Sequence, residues 1–260
     1  MKTSGTIEAI RDYPSPNSTI RLQEITYWSE GIRVKGMLAC SKEVAHDEGL
    51  LYLRGGIQGV GMVRPARIAE IAAQGFIVFA PYYRGNRGGE GRDEFGGVDR
   101  FDAVHAVEVL KQFSAPRIHV FAFSRGGIMA LWTAILRDDI TSVVTWGGVS
   151  DMTLTYDERV DMRRMLKRVV GGSPMKMPEA YEARTPLSRI AEISCPVLII
   201  HGAQDGNVPL THAKRLEHAL QTANKTYETL YEQQYTHYFP IVANRQVVAT
   251  ACKWMINQEG

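Results

Sequence analysis

Short, continuous apolar runs alternate along the chain with stretches in which apolar residues recur every three or four positions. "GLLYLR" (49–54), "FIVFAP" (76–81), residues 117–123, "SVVTW" (142–146) and "PVLII" (196–200) are apolar on both faces a strand would present. Each predicts a strand buried on both sides. Helical periodicity runs from about Val63 to Ala73 and stops at Gly75. It returns behind Asp99 (Phe101, Val104, Val107, Leu110) and again from Ser124 to Leu136. Residues 211–221 predict a helix, 225–232 a strand, and about Ile241 to Asn257 a closing helix. Upstream, "IRLQEITYWSEGIRVKGMLAC" alternates apolar and polar residues around Glu30-Gly31, the pattern of an antiparallel hairpin.

Strands alternating with helices after an opening hairpin define an α/β chain, with a mostly parallel central sheet and helices on both faces. Residues 1–260 are expected to form one domain. The pattern is interrupted once, at 151–189, which is rich in Met, Arg and Pro. This segment is expected to be a small inserted cap over one sheet edge. Its centre, "DERVDMRRMLKRVVGG", predicts a single amphipathic helix ended by Gly171-Gly172.

Composition narrows the function classes. The chain is 45% hydrophobic and 22% charged, with a net charge of +2, too balanced for a nucleic-acid or membrane-surface binder. Three separated cysteines without a CxxC pair give neither a metal framework nor a disulfide scaffold. Cys40 and Cys195 sit in apolar runs and read as small buried hydrophobes. No apolar run approaches the ~20 residues of a membrane span, and the first residues lack a signal-like apolar core. A cytoplasmic location is therefore expected; oligomeric state stays open.

Sites in open parallel sheets form beyond the carboxyl ends of the strands. Ser124 follows the strand 117–123, Asp205 follows 196–200, and His237 follows 225–232. The order Ser, Asp, His is that of a nucleophile-elbow hydrolase. A serine hydroxyl needs a base to take its proton. An imidazole's ordinary pKa suits that task, and a carboxylate fixes its tautomer. Ala122 and Gly126 are small enough for a tight strand-to-helix turn. The Arg125 N–H then points where an oxyanion would develop, with a second donor expected from Gly56 or Ile57 of the "RGGIQGVG" loop.

Taken singly, these residues have plainer readings. Small-x-Ser-x-Gly pentads recur by chance, "DG" is a common turn, and a lone histidine is usually structural. His201 ends a strand before a turn glycine and reads as structural, as do His46, His105, His119, His212 and His218. Asp99 and Asp102 read as helix-capping acids. Arg54, Arg84 and Arg125 could favour an acidic acyl group or be paired internally.

Four segments together resemble the α/β-hydrolases, and within them the catalytic domain of the prolyl oligopeptidase family, including its acylaminoacyl-peptidase-like members. "PYYRGNRGGEG" with "DRFDAVHAVEVL" is similar to the family's Pro-x-Tyr-Arg-Gly loop and following helix. "AFSRGG" resembles its nucleophile motif, "PVLIIHGAQDGNVPL" its acid-bearing strand and turn, and "THYF" its histidine motif. The similarity spans roughly 20–258. It implies Ser124 as nucleophile, Asp205 as acid and His237 as base, with no metal or cofactor. Ala122 stands for the usual first glycine, Arg54 for the usual histidine before Gly-Gly, and Arg125 for a bulky uncharged residue. The family's large peptidases carry a β-propeller, for which this chain has no room. The expected function is therefore a serine hydrolase of small esters, acyl-amides or peptides.

Two other classes compete. "RGGIQGVG" lies between strand and helix like a dinucleotide loop, but its GGxxGxG spacing and the following Ala80-Pro81 do not fit one. The other is a non-catalytic relative that binds a ligand or partner, against which an intact Ser-Asp-His set speaks. The Arg-Gly-rich loop 84–92 has no aromatic stacking platform for RNA.

Overall fold

The structure, a computed structural model, describes residues 2–43, 48–113 and 115–258. His46 and both ends of the 1–260 range lie outside the described residues. Among those described, nine strands form one sheet in the order β1-β2-β3-β5-β4-β6-β7-β8-β9. They are β1 (Ile7–Tyr13), β2 (Ile20–Ser29), β3 (Ile32–Ser41), β4 (Glu48–Leu53), β5 (Ile77–Pro81), β6 (Arg117–Phe123), β7 (Ser142–Trp146), β8 (Val197–Gly202) and β9 (Tyr227–Glu232). β1, β2, β3 and β5 pair antiparallel. From β5 through β4 to β9 every pairing is parallel.

The opening hairpin turns at the predicted dipeptide. Glu30 (φ 51°) and Gly31 (φ 78°) both lie in the left-handed region, as the tight turn between Ser29 and Ile32 requires. β1 was not legible in the sequence. It is an edge strand exposing most of its side chains, so no apolar alternation marks it.

Successive residues of each inner strand serve opposite faces. Leu51 and Leu53 enter a core with α2 (Arg100–Lys111), α3 (Gly126–Leu136) and α7 (Thr211–Thr222). Leu50 and Tyr52 enter a second core with α1 (Pro65–Ala72) and α8 (Ile241–Ile256). Helices thus cover both faces, and the strands present the continuous apolar runs expected of a sheet buried on both sides.

The segment after β7 connects two interior strands, β7 and β8. It holds α4 (Met152–Glu158), α5 (Arg163–Val170) and α6 (Pro178–Glu182), with 3-10 turns at Val160–Met162 and Pro186–Glu192. The single amphipathic helix expected at its centre is broken at Arg159 (φ −105°, ψ 76°). Tertiary contacts override the periodicity there. The Arg159 guanidinium pairs with Asp161 and donates to the Asn207 carbonyl at 2.7 Å. Gly171 ends α5 with φ 100°, the left-handed stop predicted.

The start of α3 passes within backbone contact of the end of β4. A Cβ on Gly126 would lie 2.1 Å from the Leu53 carbonyl oxygen, a backbone atom that cannot swing away, whereas one on Gly59 would meet open space. Gly126→Ala is therefore expected to lower the melting midpoint by roughly 5–10 °C. Gly59→Ala should leave it nearly unchanged, with differential scanning fluorimetry of both variants as the check.

Candidate active site

Ser124 stands between β6 and α3 with φ 57°, a left-handed conformation costly for a residue with a Cβ. Its backbone is held from three directions. Its N–H donates to Trp146 O (3.0 Å), and its carbonyl accepts from Gly127 and Val149 (both 2.9 Å). That fixed, strained turn puts the Ser124 side chain at the end of the sheet, in a cavity of about 780 Å³.

Asp205 follows β8 and is buried. Its Oδ1 accepts from the Asn207 (2.8 Å) and Val208 (2.9 Å) amides, and its Oδ2 accepts from His237 Nδ1 at 2.6 Å. Two backbone donors fix the carboxylate, and the carboxylate fixes the ring. Gly147 (φ 53°) leaves room beneath the pair: a Cβ there would lie 3.2 Å from both Asp205 Oδ2 and His237 Nδ1. The Phe123 ring lies 4.7 Å from the imidazole, centroid to centroid. His237 lines the same cavity as Ser124.

The glycine loop after β4 lies directly on the elbow. A Cβ on Gly55 would come within 2.7 Å of Ser124 Cβ and 3.2 Å of its Oγ. Gly56, Ile57 and Arg125 all line the cavity. Their amides donate to no backbone acceptor among the described residues, so they are free to bind an anion there. The structure thus brings together every residue singled out beyond the strand ends.

Beneath the elbow lies a cluster of buried charges. Asp93 is in contact with Arg125 (2.5 Å) and Arg54 (3.5 Å), and the side chains of all three are 1% exposed. Burial works to raise the Asp93 carboxyl, but Arg125 and Arg54 outweigh it and hold the group below its ordinary range. Asp99, fully buried 3.7 Å from Arg125, is pushed up to about 7, chiefly by burial, against the pull of Arg125 and with the repulsion of Asp93 and Asp102. Asp99 and Asp102 are therefore internal charge partners rather than helix caps. Asp99 accepts from the Gly96 amide (3.0 Å), and Asp102 takes three bonds from the Arg84 guanidinium, one from the Arg84 amide and one from Ser29. Arg54, Arg84 and Arg125 are all paired inward and do not offer charge to an acyl group.

Of the histidines read as structural, His119, His201 and His212 are buried. His201 is fully buried, donates from Nε2 to Val208 O (2.7 Å) and braces the Asp205 turn. His119 and His212 are each lowered to about 4 by burial and remain neutral. Cys195 and Cys252 are buried and Cys40 is half-buried, all as free thiols. Sequence reasoning missed the aromatic walls Tyr52, Phe123 and Tyr238, and the cavity-facing cations Arg64, Arg67 and Arg159. Phe123 adjoins the nucleophile, and Arg64 and Arg67 stand one helical turn apart just beyond the glycine loop, signals that were available.

A mostly parallel sheet faced by helices, with a serine on a strained elbow beside a histidine–carboxylate pair, defines an α/β-hydrolase. Residues 62–259 match the prolyl oligopeptidase family. The chain is 52% identical over 252 residues to the uncharacterized peptidase YtmA of Bacillus subtilis (strain 168), covering 95% of this chain and 98% of that one. The chain belongs to the prolyl oligopeptidase family and is a serine hydrolase. Its fold is similar to that of an acylaminoacyl peptidase solved in complex with Z-Gly-Gly-Phe-chloromethyl ketone (TM-score 0.78, 19% identity). That match covers 94% of this chain but only 43% of the peptidase. It is also similar to an acetyl xylan esterase from Paenibacillus sp. R4 (TM-score 0.76, 16% identity), covering 96% of this chain and 88% of the esterase. Among the described residues no helix is long and apolar enough to cross a membrane.

Two outcomes test the charge cluster. Asp93→Asn leaves two buried guanidiniums short of a counter-charge and should cost about 3–5 kcal/mol, read as a drop in the urea midpoint. Asp99 has a folded pKa raised above its unfolded value of about 3.9. Its contribution to stability is complete below about pH 4 and is lost as the pH rises toward 7. Asp99→Asn stays neutral throughout. Urea midpoints at pH 4.5 and 7.5 should therefore show the variant gaining on the wild type as pH rises.

Proposed function

We propose that the chain hydrolyses small carboxylic esters and short acylated peptides through an acyl-enzyme, with Ser124 as nucleophile, His237 as general base and acid, and Asp205 as the carboxylate that orients the imidazole. Residues 1–260 then act as one catalytic domain, with 151–189 as the cap that walls its pocket. The observation that carries this reading is the Asp205 Oδ2–His237 Nδ1 hydrogen bond of 2.6 Å, beside an αL serine in one cavity.

The Asp205 carboxylate accepts a hydrogen bond from Nδ1–H, so Nε2 of the neutral ring carries the lone pair that takes a proton from Ser124 Oγ. No hydrogen bond joins Ser124 to His237 in the resting site; substrate closes that gap in the attacking complex. As Oγ adds to the carbonyl, the developing oxyanion receives the Arg125 amide and the Gly56–Ile57 backbone. His237 then gives its proton to the departing alcohol or amine. A water molecule attacks the acyl-enzyme with His237 again as base, which frees the acid and restores Ser124. The carboxylate's two amide bonds keep its second oxygen from competing for the ring.

A fluorophosphonate probe should label the wild type and not Ser124→Ala. Asp205→Asn, which lets the ring turn to the wrong tautomer, should lower kcat on p-nitrophenyl butyrate by roughly 10³–10⁴ with the fold intact by circular dichroism. A folded wild type that takes no label would remove the reading. Parallel rates on p-nitrophenyl esters and acyl-peptide anilides then rank the two substrate classes.

A further inference from the structure

A second cavity, of about 770 Å³, opens beside His237. It shares Tyr52, Arg64, Arg67, Phe123, His237 and Tyr238 with the cavity over Ser124, but Ser124 and the glycine loop line only the first, and Glu70, Asn244 and Arg245 only the second. The starts of α1 and α8 form its other walls. His237, with Arg64 and Arg67, therefore stands on the boundary common to the two. In the mechanism above, the group that departs is the one that receives the proton from His237. The acyl part stays on Ser124 beneath α4 and α5, and the leaving group faces the second cavity.

That cavity has an uneven charge. Arg64, Arg67 and Arg245 line it against a single carboxylate, Glu70. Glu70 is already shared, 3.2 Å from Arg67 and 3.7 Å from Arg245. Arg67 also donates to Asn244 Oδ1 at 2.7 Å, which aims its guanidinium across the cleft between α1 and α8. Arg64 is exposed, and its side chain has no ion pair or hydrogen bond among the described residues. The N-terminus of α8 has no side-chain cap, and its first-turn amides add to the positive potential.

We propose that this cavity is a leaving-group subsite for a carboxylate, held by Arg64 and Arg67, so that the preferred substrates are N-acylated peptides ending in a free carboxylate just beyond the scissile bond, or acylated hydroxy acids. The inference rests on the hydrolase reading. In the reaction the acyl carbon passes from the departing nitrogen or oxygen to Ser124 Oγ. The amine or alcohol leaves with the proton from His237 and with its carboxylate still bound. Hydrolysis of the acyl-enzyme by water completes the cycle.

Two matched pairs test it: N-acetyl-alanyl-alanine against N-acetyl-alanyl-alaninamide, and 2-acetoxypropanoate against 2-acetoxypropanamide, with p-nitrophenyl acetate alongside. The wild type should favour the carboxylate member of at least one pair by about tenfold in kcat/KM, and the pair that shows it identifies the peptide or the ester as the source. Arg64→Gln should shrink that ratio to about threefold or less, and Arg64→Glu should reverse it. The ratio is the readout, so a variant that merely slows both members equally counts against the subsite. Equal rates on charged and neutral members, with p-nitrophenyl acetate turned over, overturn the subsite alone. No turnover of any of the five compounds overturns the hydrolase reading and the subsite with it.

Discussion

The Asp93 carboxylate joins the two loops on which the chemistry depends. Arg54 begins the glycine loop and Arg125 directly follows Ser124, and both guanidiniums converge on Asp93 in a region closed to water. An unpaired charge there would cost several kcal/mol, so the loops cannot separate or slide without exposing one. The distance between the serine and the loop amides is thereby set by an internal ion pair rather than by the bound substrate. Asp93 also accepts from the Gln58 amide at 3.3 Å and from Asn86, tying the far end of the glycine loop to the same point. Preorganised donors of this kind cost no rearrangement when charge develops.

The cluster is not neutral in its effects. Asp99 shares Arg125 with Asp93, and Arg125 Nε and Nη2 and Asp99 Oδ2 have no hydrogen-bond partner among the described residues. Burial chiefly, with the repulsion of Asp93 and Asp102 beside it, pushes Asp99 up to about 7, so this acid is only partly ionised at neutral pH. The network therefore trades some stability for fixed geometry at the elbow, a pattern seen where backbone strain is also stored. Ser124 supplies that strain, and its three backbone bonds to Trp146, Gly127 and Val149 sustain it.

Most strands were legible because a sheet buried on both faces writes itself as unbroken apolar runs. The elbow, the acid turn and the histidine loop were legible because each polar residue interrupts or follows such a run. β1 was not, because an exposed edge strand has no need of apolar residues. The break at Arg159 was not, because a contact to the Asn207 carbonyl from another part of the chain decides it. Arginines were the hardest residues to place. Arg54, Arg84 and Arg125 stand among glycines like surface residues but are internal, whereas Arg64 and Arg67, on an ordinary amphipathic helix, face the open cavity. Burial of a charge depends on where its partner lands in three dimensions, which spacing along the chain does not reveal.

Gly55 carries a consequence for how such a protein changes over time. With Ser124 Cβ 2.7 Å from where its own Cβ would be, it admits no side chain, and Gly126 is closed in the same way by the Leu53 carbonyl. The centre of the site is therefore frozen at the level of single atoms. Variation is left to the surfaces that meet substrate from outside, namely the segment between β7 and β8 and the first turns of α1 and α8. A lineage can explore new substrates by exchanging side chains there while the reaction itself is inherited unaltered.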